Sequence, residues 1–224
     1  MGPQRIVKQA CERYRRIATT RATIPRMIIL RESGFITVPW KNGGGLTREI
    51  LRNPAESTAF DWRLSLATID SPGPFSAFAG FERTLVLVRG AGVELDFGQH
   101  GRARLQAAGQ LVTFDGAWPV GCTLLDGPSS DLNLIVSRER MESASQSLRL
   151  SETEHVQTAG WEDTLVCCIS GSVQLTNITG EVENLGDADV ARCSPNDRMV
   201  TCAARDSTPA HVFVAHVRRR TGRS

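Results

Sequence analysis

The stretch "WKNGGGLTREI", residues 40–50, sets an indole, an ammonium, an amide, three glycines and a guanidinium close together. Consecutive glycines are costly, because each loses more backbone freedom on folding than any other residue. Two readings account for them here. Successive exposed amides at Gly43, Gly44 and Gly45 can form an anion-binding concavity. Lys41 and Arg48 would add positive charge to it, and an arginine can engage a carboxylate through two hydrogen bonds at once. In the other reading the bare backbone closes against a neighbouring strand. Asn42-Gly43 alone would suit a hairpin turn, but such a turn needs neither a third glycine nor Trp40 and Lys41 before it. The stretch lacks the Gly-Lys-Ser/Thr end of a phosphate loop and no helical pattern follows, so an organic acid fits better than a nucleotide.

Polar groups also alternate along two apolar runs. In "FDWRLSLATID" a strand puts Arg63, Ser65 and Ala67 on one face and Trp62, Leu64 and Leu66 on the other. In "DLNLIVSR" it separates Asp131, Asn133 and Ile135 from Leu132, Leu134 and Val136. If the polar faces line a barrel lumen, they supply a guanidinium, a hydroxyl, a carboxylate and an amide to one small ligand. Solvated faces, or a structural ion pair between Arg63 and Asp131, are the alternatives. Two further stretches carry aromatics beside turn residues. "SPGPFSAFAGFERT" (71–84) spaces Phe75, Phe78 and Phe81 three apart, which suits a plug at a barrel end or a lid on a ligand. "FDGAWPVGC" (114–122) gathers Phe114, Asp115 and Trp118 around a glycine.

Covalent and metal chemistry have less support. Asp115, Asp131 and Lys41 are groups that can move protons, but no nucleophile–base pair is visible and Ser76 has no histidine near it in sequence. The four histidines, His100, His155, His211 and His216, contain no His-x-His pair. Neither a metal nor another cofactor is expected.

The elements that must position these groups read as short strands. From Met27 onward, apolar alternating runs are separated by Gly, Pro, Asp and Asn at the spacing of an all-β sandwich or barrel. The pattern recurs: "TLVLVRGAGVEL" from Thr84 aligns without gaps with "TLVCCISGSVQL" from Thr164. The same offset sets "DLNLIVS" (131–137) beside "HVFVAHV" (211–217). Two tandem antiparallel barrels, a double-barrel cupin-like (bicupin, RmlC-like) fold, are the expectation. The divisions are a leader at 1–26, a barrel at 27–138, a polar linker at 139–154, a C-terminal half-barrel at 155–218 and a basic tail at 219–224.

Charge and cysteine usage narrow the classes. The 224 residues are 41% hydrophobic with a formal net charge of +2, and much of the basic excess lies in the leader and tail. The body is slightly acidic, which argues against nucleic acid as a partner. The six cysteines form no CxxC pair, and adjacent Cys167 and Cys168 point to opposite faces of a strand. Reduced thiols in a cytoplasmic protein are the expectation. No run of 18 apolar residues predicts a membrane span. The arginine-rich leader lacks the apolar region of a secretory signal; a transit peptide, or an extension before a start at Met27, both fit it. Exposed barrel edges leave a homodimer open.

Five segments together resemble the HutD/Ves family: "PWKNGGGLTREI" (39–50), "DWRLSLATI" (61–69), "GPFSAFAGFERTLVLVRGAGVEL" (73–95), "FDG" (114–116) and "GPSSDLNLIVSR" (127–138). The resemblance spans residues 27 to 138; beyond that only the strand pattern matches, and Ala79 stands where the family's loop habit would put proline. It implies a metal-free bicupin-like fold with an accessory, non-catalytic role. One branch of the family is linked to histidine utilisation, with urocanate or a formylated glutamate as a regulatory signal; another is linked to stress responses. Carried over, Trp40, Lys41, Asn42, Arg48, Arg63, Ser65, Asp131 and Asn133 become site candidates, joined by Gly43, Gly44, Gly45 and Phe114 from the stretches above. Sensing of a small acidic metabolite is the leading reading. A metal-independent isomerase or hydrolase and a protein-interaction module are the alternatives.

Overall fold

A computed structural model describes residues 27–40, 43–55, 57 and 59–221. Period-two alternation produces strands throughout, and the only helical pieces among the described residues are three short 3₁₀ turns. The first half contains β1 (Ile28–Leu30), β2 (Ile36–Pro39), β3 (Gly45–Asn53), β4 (Trp62–Ile69), β5 (Gly73–Pro74) and β6 (Phe81–Gly90). It continues through β7 (Val93–Asp96), β8 (Arg102–Leu105), β9 (Leu111–Asp115), β10 (Gly121–Leu124) and β11 (Ser129–Ser137). The second half contains β12 (Met141–Leu150), β13 (Glu154–Gln157), β14 (Asp163–Ser170) and β15 (Val173–Asn177). Then come β16 (Val182–Leu185), β17 (Val190–Cys193), β18 (Met199–Ala204) and β19 (Ala210–Arg219).

The sheets repeat. The order β4-β11-β6-β9 recurs as β12-β19-β14-β17, and β5-β10-β7-β8 recurs as β13-β18-β15-β16. Each strand from β4 to β11 thus has a counterpart later in the chain, the double-barrel arrangement that the internal repeat predicts. β2 and β3 widen the first large sheet beyond β4, whereas β1 crosses to the second half and pairs with β17.

The gapless sequence alignment, however, runs one residue out of register along the central strands. A β-bulge leaves Val88 unpaired between Leu87↔Asp131 and Arg89↔Ser130. The same bulge leaves Ile169 unpaired between Cys168↔Val212 and Ser170↔His211. Matching the bulges superposes Val88 on Ile169, not on Cys168. Core membership agrees: Leu85 and Val166 line the barrel interiors, while Val86 and Cys167 share the core between the halves. The cause is the following hairpin, with residues 89–92 between bulge and next strand in the first half but 170–172 in the second. Alternation looks equally good in either register, which hid the slip.

Residues 139–154, expected to be a linker, contain β12, which pairs with β19 over its whole length. Its polar composition reflects its faces. Ser143, Ser145 and Ser147 alternate with exposed Ala144 and Gln146, and only Met141 and Leu150 at its ends are fully buried.

Three cores hold the molecule. One fills the first barrel around Leu85, Leu87, Leu95 and Phe114. A second fills the other barrel around Val166, Cys168, Val212 and Val214. The third joins the halves, with Trp62, Leu64, Leu66, Leu132 and Leu134 against Leu165, Phe213 and Ala215. All described cysteines are free and buried. Among the described residues no helix is long and apolar enough to cross a membrane.

Candidate functional site

The register fixes what enters the first barrel. On β11, Asp131 and Asn133 face the same side as Leu87 and Leu85, their partners on β6, and those leucines belong to the barrel core. Across β4 the same residues oppose Ala67 and Ser65. One row further, Ile135 lies between Arg63 and Arg83. The two arginines, the carboxylate, the amide and the serine therefore converge on one lumen.

Burial makes this cluster unusual. Asp131 is 1% exposed and neither carboxylate oxygen has a hydrogen-bond partner. Desolvation pushes its pKa up to about 7, with the positive charge of Arg83 pulling the other way. Arg83 is 3% exposed, and burial brings its pKa down to about 10 against the opposing effect of Asp131. Its Nη1 donates to the Ser76 carbonyl at 3.0 Å, and its Nε has no acceptor. The guanidinium lies 5.5, 5.4 and 5.1 Å from the rings of Phe75, Phe78 and Phe114, a cation–π enclosure.

Arg63 stands between Phe60 at 5.0 Å and Phe78 at 5.3 Å, with its Nε also lacking an acceptor. Burial lowers its pKa, Glu49 opposes that, and Arg52 adds to it. Asn133 Oδ1 is buried and unpaired. Ser65 Oγ donates to the Asn133 carbonyl at 3.5 Å. Cys122 also senses the Asp131 charge; burial, then that charge, raise its thiol to about 12, so it stays neutral. Since buried polar atoms in folded proteins are nearly all paired, three orphaned acceptors and two orphaned donors in one lumen mark a place built for something else to bond.

The sequence-derived candidates divide. Arg63, Ser65, Asp131, Asn133 and Phe114 meet in the lumen, and Trp40 closes one end. Its indole packs edge-on against Phe75 at 6.1 Å and donates to Thr47 Oγ1 at 2.7 Å. Arg48 does not join them. It pairs across the sheet with Leu66, on the face toward the other half, and donates to Glu32 at 2.6 Å. Lys41 and Asn42 lie outside the described residues.

The glycine run follows the structural reading. Gly43 has φ +70 and its amide donates to the Trp40 carbonyl at 3.1 Å, closing a turn. Gly44 accepts from the amides of Asp70 and Ser71, at 3.0 and 3.3 Å. A Cβ on Gly45 would stand 2.2 Å from the Thr68 carbonyl oxygen. Close approach of β3 to β4 is the reason for glycine there, and the Gly43 amide is committed to the turn rather than to an anion.

Sequence reasoning missed Arg83, the most buried cation of the site. The signal was present: Arg83, Leu85 and Leu87 share a face in "FERTLVLVRG". Of the proton-carrying candidates, Asp115 is held by Arg138 at 2.6 Å outside the cluster. A separate cleft of about 340 Å³ lies between the halves, lined by Glu82, Val136, Arg138, Met141, Glu142, Ser143, Trp161 and Arg220. Its charges engage protein groups, Glu82 with Ser143 and Glu142 with Arg218, so it offers no orphaned set like that of the lumen. Among the described residues no group of three or more His, Cys, Asp or Glu is arranged to hold a metal ion.

Known proteins share this frame. A family model described as HutD matches residues 32–210. A 21.2 kDa protein in the hutC 3′ region of Pseudomonas putida is 34% identical over 174 residues, 77% of this chain and 89% of that one. Protein Ves of Citrobacter koseri is 36% identical over 137 residues, 61% of this chain and 69% of that one. Among solved structures, HutD from Pseudomonas fluorescens superposes with a TM-score of 0.74 at 29% identity, covering 88% of this chain and all of that one. An oxalate decarboxylase from Lactobacillus farciminis, with a TM-score of 0.61 at 10% identity and 88% of each chain covered, shares the fold alone.

Proposed function

The chain belongs to the HutD family, and from that premise we propose that its first barrel binds a small organic acid that also carries an N–H group, as a non-catalytic sensor of histidine breakdown. The observation that carries this reading is Asp131, buried at 1% exposure with both oxygens unpaired. Such a group costs several kcal/mol unless something donates to it. A ligand N–H aimed at Asp131 and Asn133 Oδ1 removes that cost. A ligand carboxylate at the other end meets Arg63 and Arg83, whose Nε atoms lack acceptors. The surrounding Phe75, Phe78 and Phe114 favour a flat or apolar middle. Urocanate (imidazole and carboxylate) and formylglutamate (amide and carboxylates) both have this pattern, and the relatives in the hutC region and named HutD support that context.

Thermal unfolding with urocanate, formylglutamate, formiminoglutamate, glutamate and phosphate tests it. At a hundred times its dissociation constant a specific ligand adds about 2.7 kcal/mol, which raises the midpoint by roughly 5–10 °C for a chain of this size. The expected result is a shift with an N–H-bearing acid that Arg63→Ala abolishes and Arg48→Ala keeps. No shift with any acid, or one equalled by phosphate, sinks the reading.

One observation favours a second reading. A buried carboxylate with a pKa of about 7 is suited to proton transfer near neutral pH, so the site would also serve a metal-independent isomerase or hydrolase. Turnover of a binding acid by the purified protein, lost in Asp131→Asn, would decide for the enzyme.

A further inference from the structure

Arg63 and Arg83 stand on β4 and β6, on either side of β11, and both pair with Ile135. Their Cα atoms are therefore two strand spacings apart, roughly 9.5 Å, and long side chains rooted there have room to turn away from each other. Charge favours that separation: burial lowers the pKa of Arg83, Asp131 opposes the shift, and the positive charge of Arg63 adds to it. The two guanidinium groups nevertheless meet one aromatic ring. Cζ of Arg63 lies 5.3 Å and Cζ of Arg83 5.4 Å from the centre of Phe78. Among the described residues Phe78 is the ring that they share, since Phe60 stands by Arg63 of the two, and Phe75 and Phe114 by Arg83.

The loop that presents this ring is held in place. The Phe78 amide donates to the Gly116 carbonyl at 2.6 Å, the Gly116 amide to the Phe81 carbonyl at 2.8 Å, and the Phe81 amide to the Phe78 carbonyl at 3.1 Å. A Cβ on Gly116 would stand 2.5 Å from the Phe78 carbonyl oxygen, so "FDG" needs its glycine for the loop to seat. Ser76, Ala77, Ala79 and Gly80 are exposed, while Phe78 among them is half-buried. Its neighbour Ser76 accepts from Arg83 Nη1 through its carbonyl at 3.0 Å. A plug for the barrel end would need only apolar bulk; a π face set against two cations does more.

We propose that Phe78 is the positioning residue of the lumen, whose ring gathers Arg63 and Arg83 into one clamp so that a single carboxylate meets both. This rests on the acid-binding reading and adds to it how two like charges are kept together before the acid arrives. The negative face of the ring offsets their repulsion in the empty lumen. The entering carboxylate then finds guanidinium groups already aimed at one place, which lowers the ordering cost of binding.

Phe78→Leu keeps apolar bulk and removes the ring, whereas Phe78→Tyr keeps the ring. Calorimetric titration with urocanate and formylglutamate should show binding weakened about tenfold by Phe78→Leu and held within about threefold of wild type by Phe78→Tyr. Undiminished affinity in Phe78→Leu overturns the proposal and leaves acid binding standing. Equal loss in both variants overturns it too, because packing rather than the ring is then what matters. The unliganded protein supplies a separate readout that packing alone would not move. The Hε proton resonances of Arg63 and Arg83, assigned through Arg63→Lys and Arg83→Lys, should both shift in Phe78→Leu as the ring current is lost. A shift at neither arginine, or at one alone, overturns the shared contact. If wild type binds no acid, the functional reading falls, and these resonances alone decide whether Phe78 holds the pair.

Discussion

The two barrels have the same strands in the same order, yet their interiors differ in kind. Matched through their bulges, Asp131 corresponds to Val212, Asn133 to Val214, Arg83 to Thr164, Arg63 to Ala144 and Phe114 to Cys193. The second barrel closes on valines, leucines and neutral thiols. Its one imidazole in the matching row, His216, occupies the place of Ile135, has its pKa lowered by burial, and meets Thr164 Oγ1 at 2.9 Å. The frame therefore does not need charges in its lumen. Two guanidinium groups and a carboxylate in the first barrel carry a desolvation cost that the second avoids, and the proposed acid binding would account for them.

The sharpest way to break the comparison is to move one charge across. Val212→Asp places a carboxylate in a lumen with no arginine at the matching position. It should destabilise by roughly 4 kcal/mol or more at pH 8, seen as loss of the cooperative urea transition or a strongly lowered midpoint. If Val212→Asp is tolerated within about 1 kcal/mol, the second lumen is not the dry apolar core that its composition indicates.

Removing one member of the cluster comes next. Arg83→Thr removes the positive charge that opposes the desolvation of Asp131, and a loss of about 1–3 kcal/mol is expected at pH 8. Asp131→Val combined with Arg83→Thr reproduces the second barrel at those two positions and should recover most of that loss, or exceed wild-type stability, while abolishing acid binding. A double variant as unstable as the single one would mean that the pair is structural after all.

A change of pH separates the charge from the shape. Folding raises the Asp131 pKa from 3.8 to about 7, so between those values the folded protein holds a proton that the unfolded chain has released. Stability therefore falls as pH rises through that window, and the full loss, on the order of 4 kcal/mol, is present above it. Asp131→Asn cannot ionise. It should match wild type near pH 4 and exceed it at pH 8, with urea midpoints at the two values as the check. Equal pH profiles would show that Asp131 is already satisfied when ionised.

How much of this was legible in the sequence depended on range. Period-two alternation placed Arg63 with Ser65 and Asp131 with Asn133, because a strand face is a local property. The repeat was visible through "TLVLVRG" and "TLVCCIS", but its register was not, since a one-residue change in a hairpin leaves both alternations intact. The glycines of "NGGG" were visible as an anomaly without a cause. What Gly45 avoids is the Thr68 carbonyl, a contact made across strands that no local pattern encodes. Arg83 escapes notice because it opens a run that reads as core; its burial depends on three phenylalanines from one loop and a strand distant in sequence. The sequence of β12 reads as a connection because its serines face the other half where a hydrophobic stripe is the usual signal.

The smallest expected effect tests which arginine belongs to the lumen. Arg48 lies one residue from Glu49, and that single step turns it to the opposite face, where it pairs with Glu32. Both side chains are about a quarter exposed, at 25% and 29%, so Arg48→Ala should cost no more than about 1 kcal/mol. It should leave the acid-induced rise in unfolding temperature unchanged. Arg63→Ala, on the lumen face, should remove that rise even where its own stability cost is similar. If Arg48→Ala instead abolishes binding while Arg63→Ala keeps it, the ligand sits between the halves, and the charged interior of the first barrel returns to being an unexplained cost.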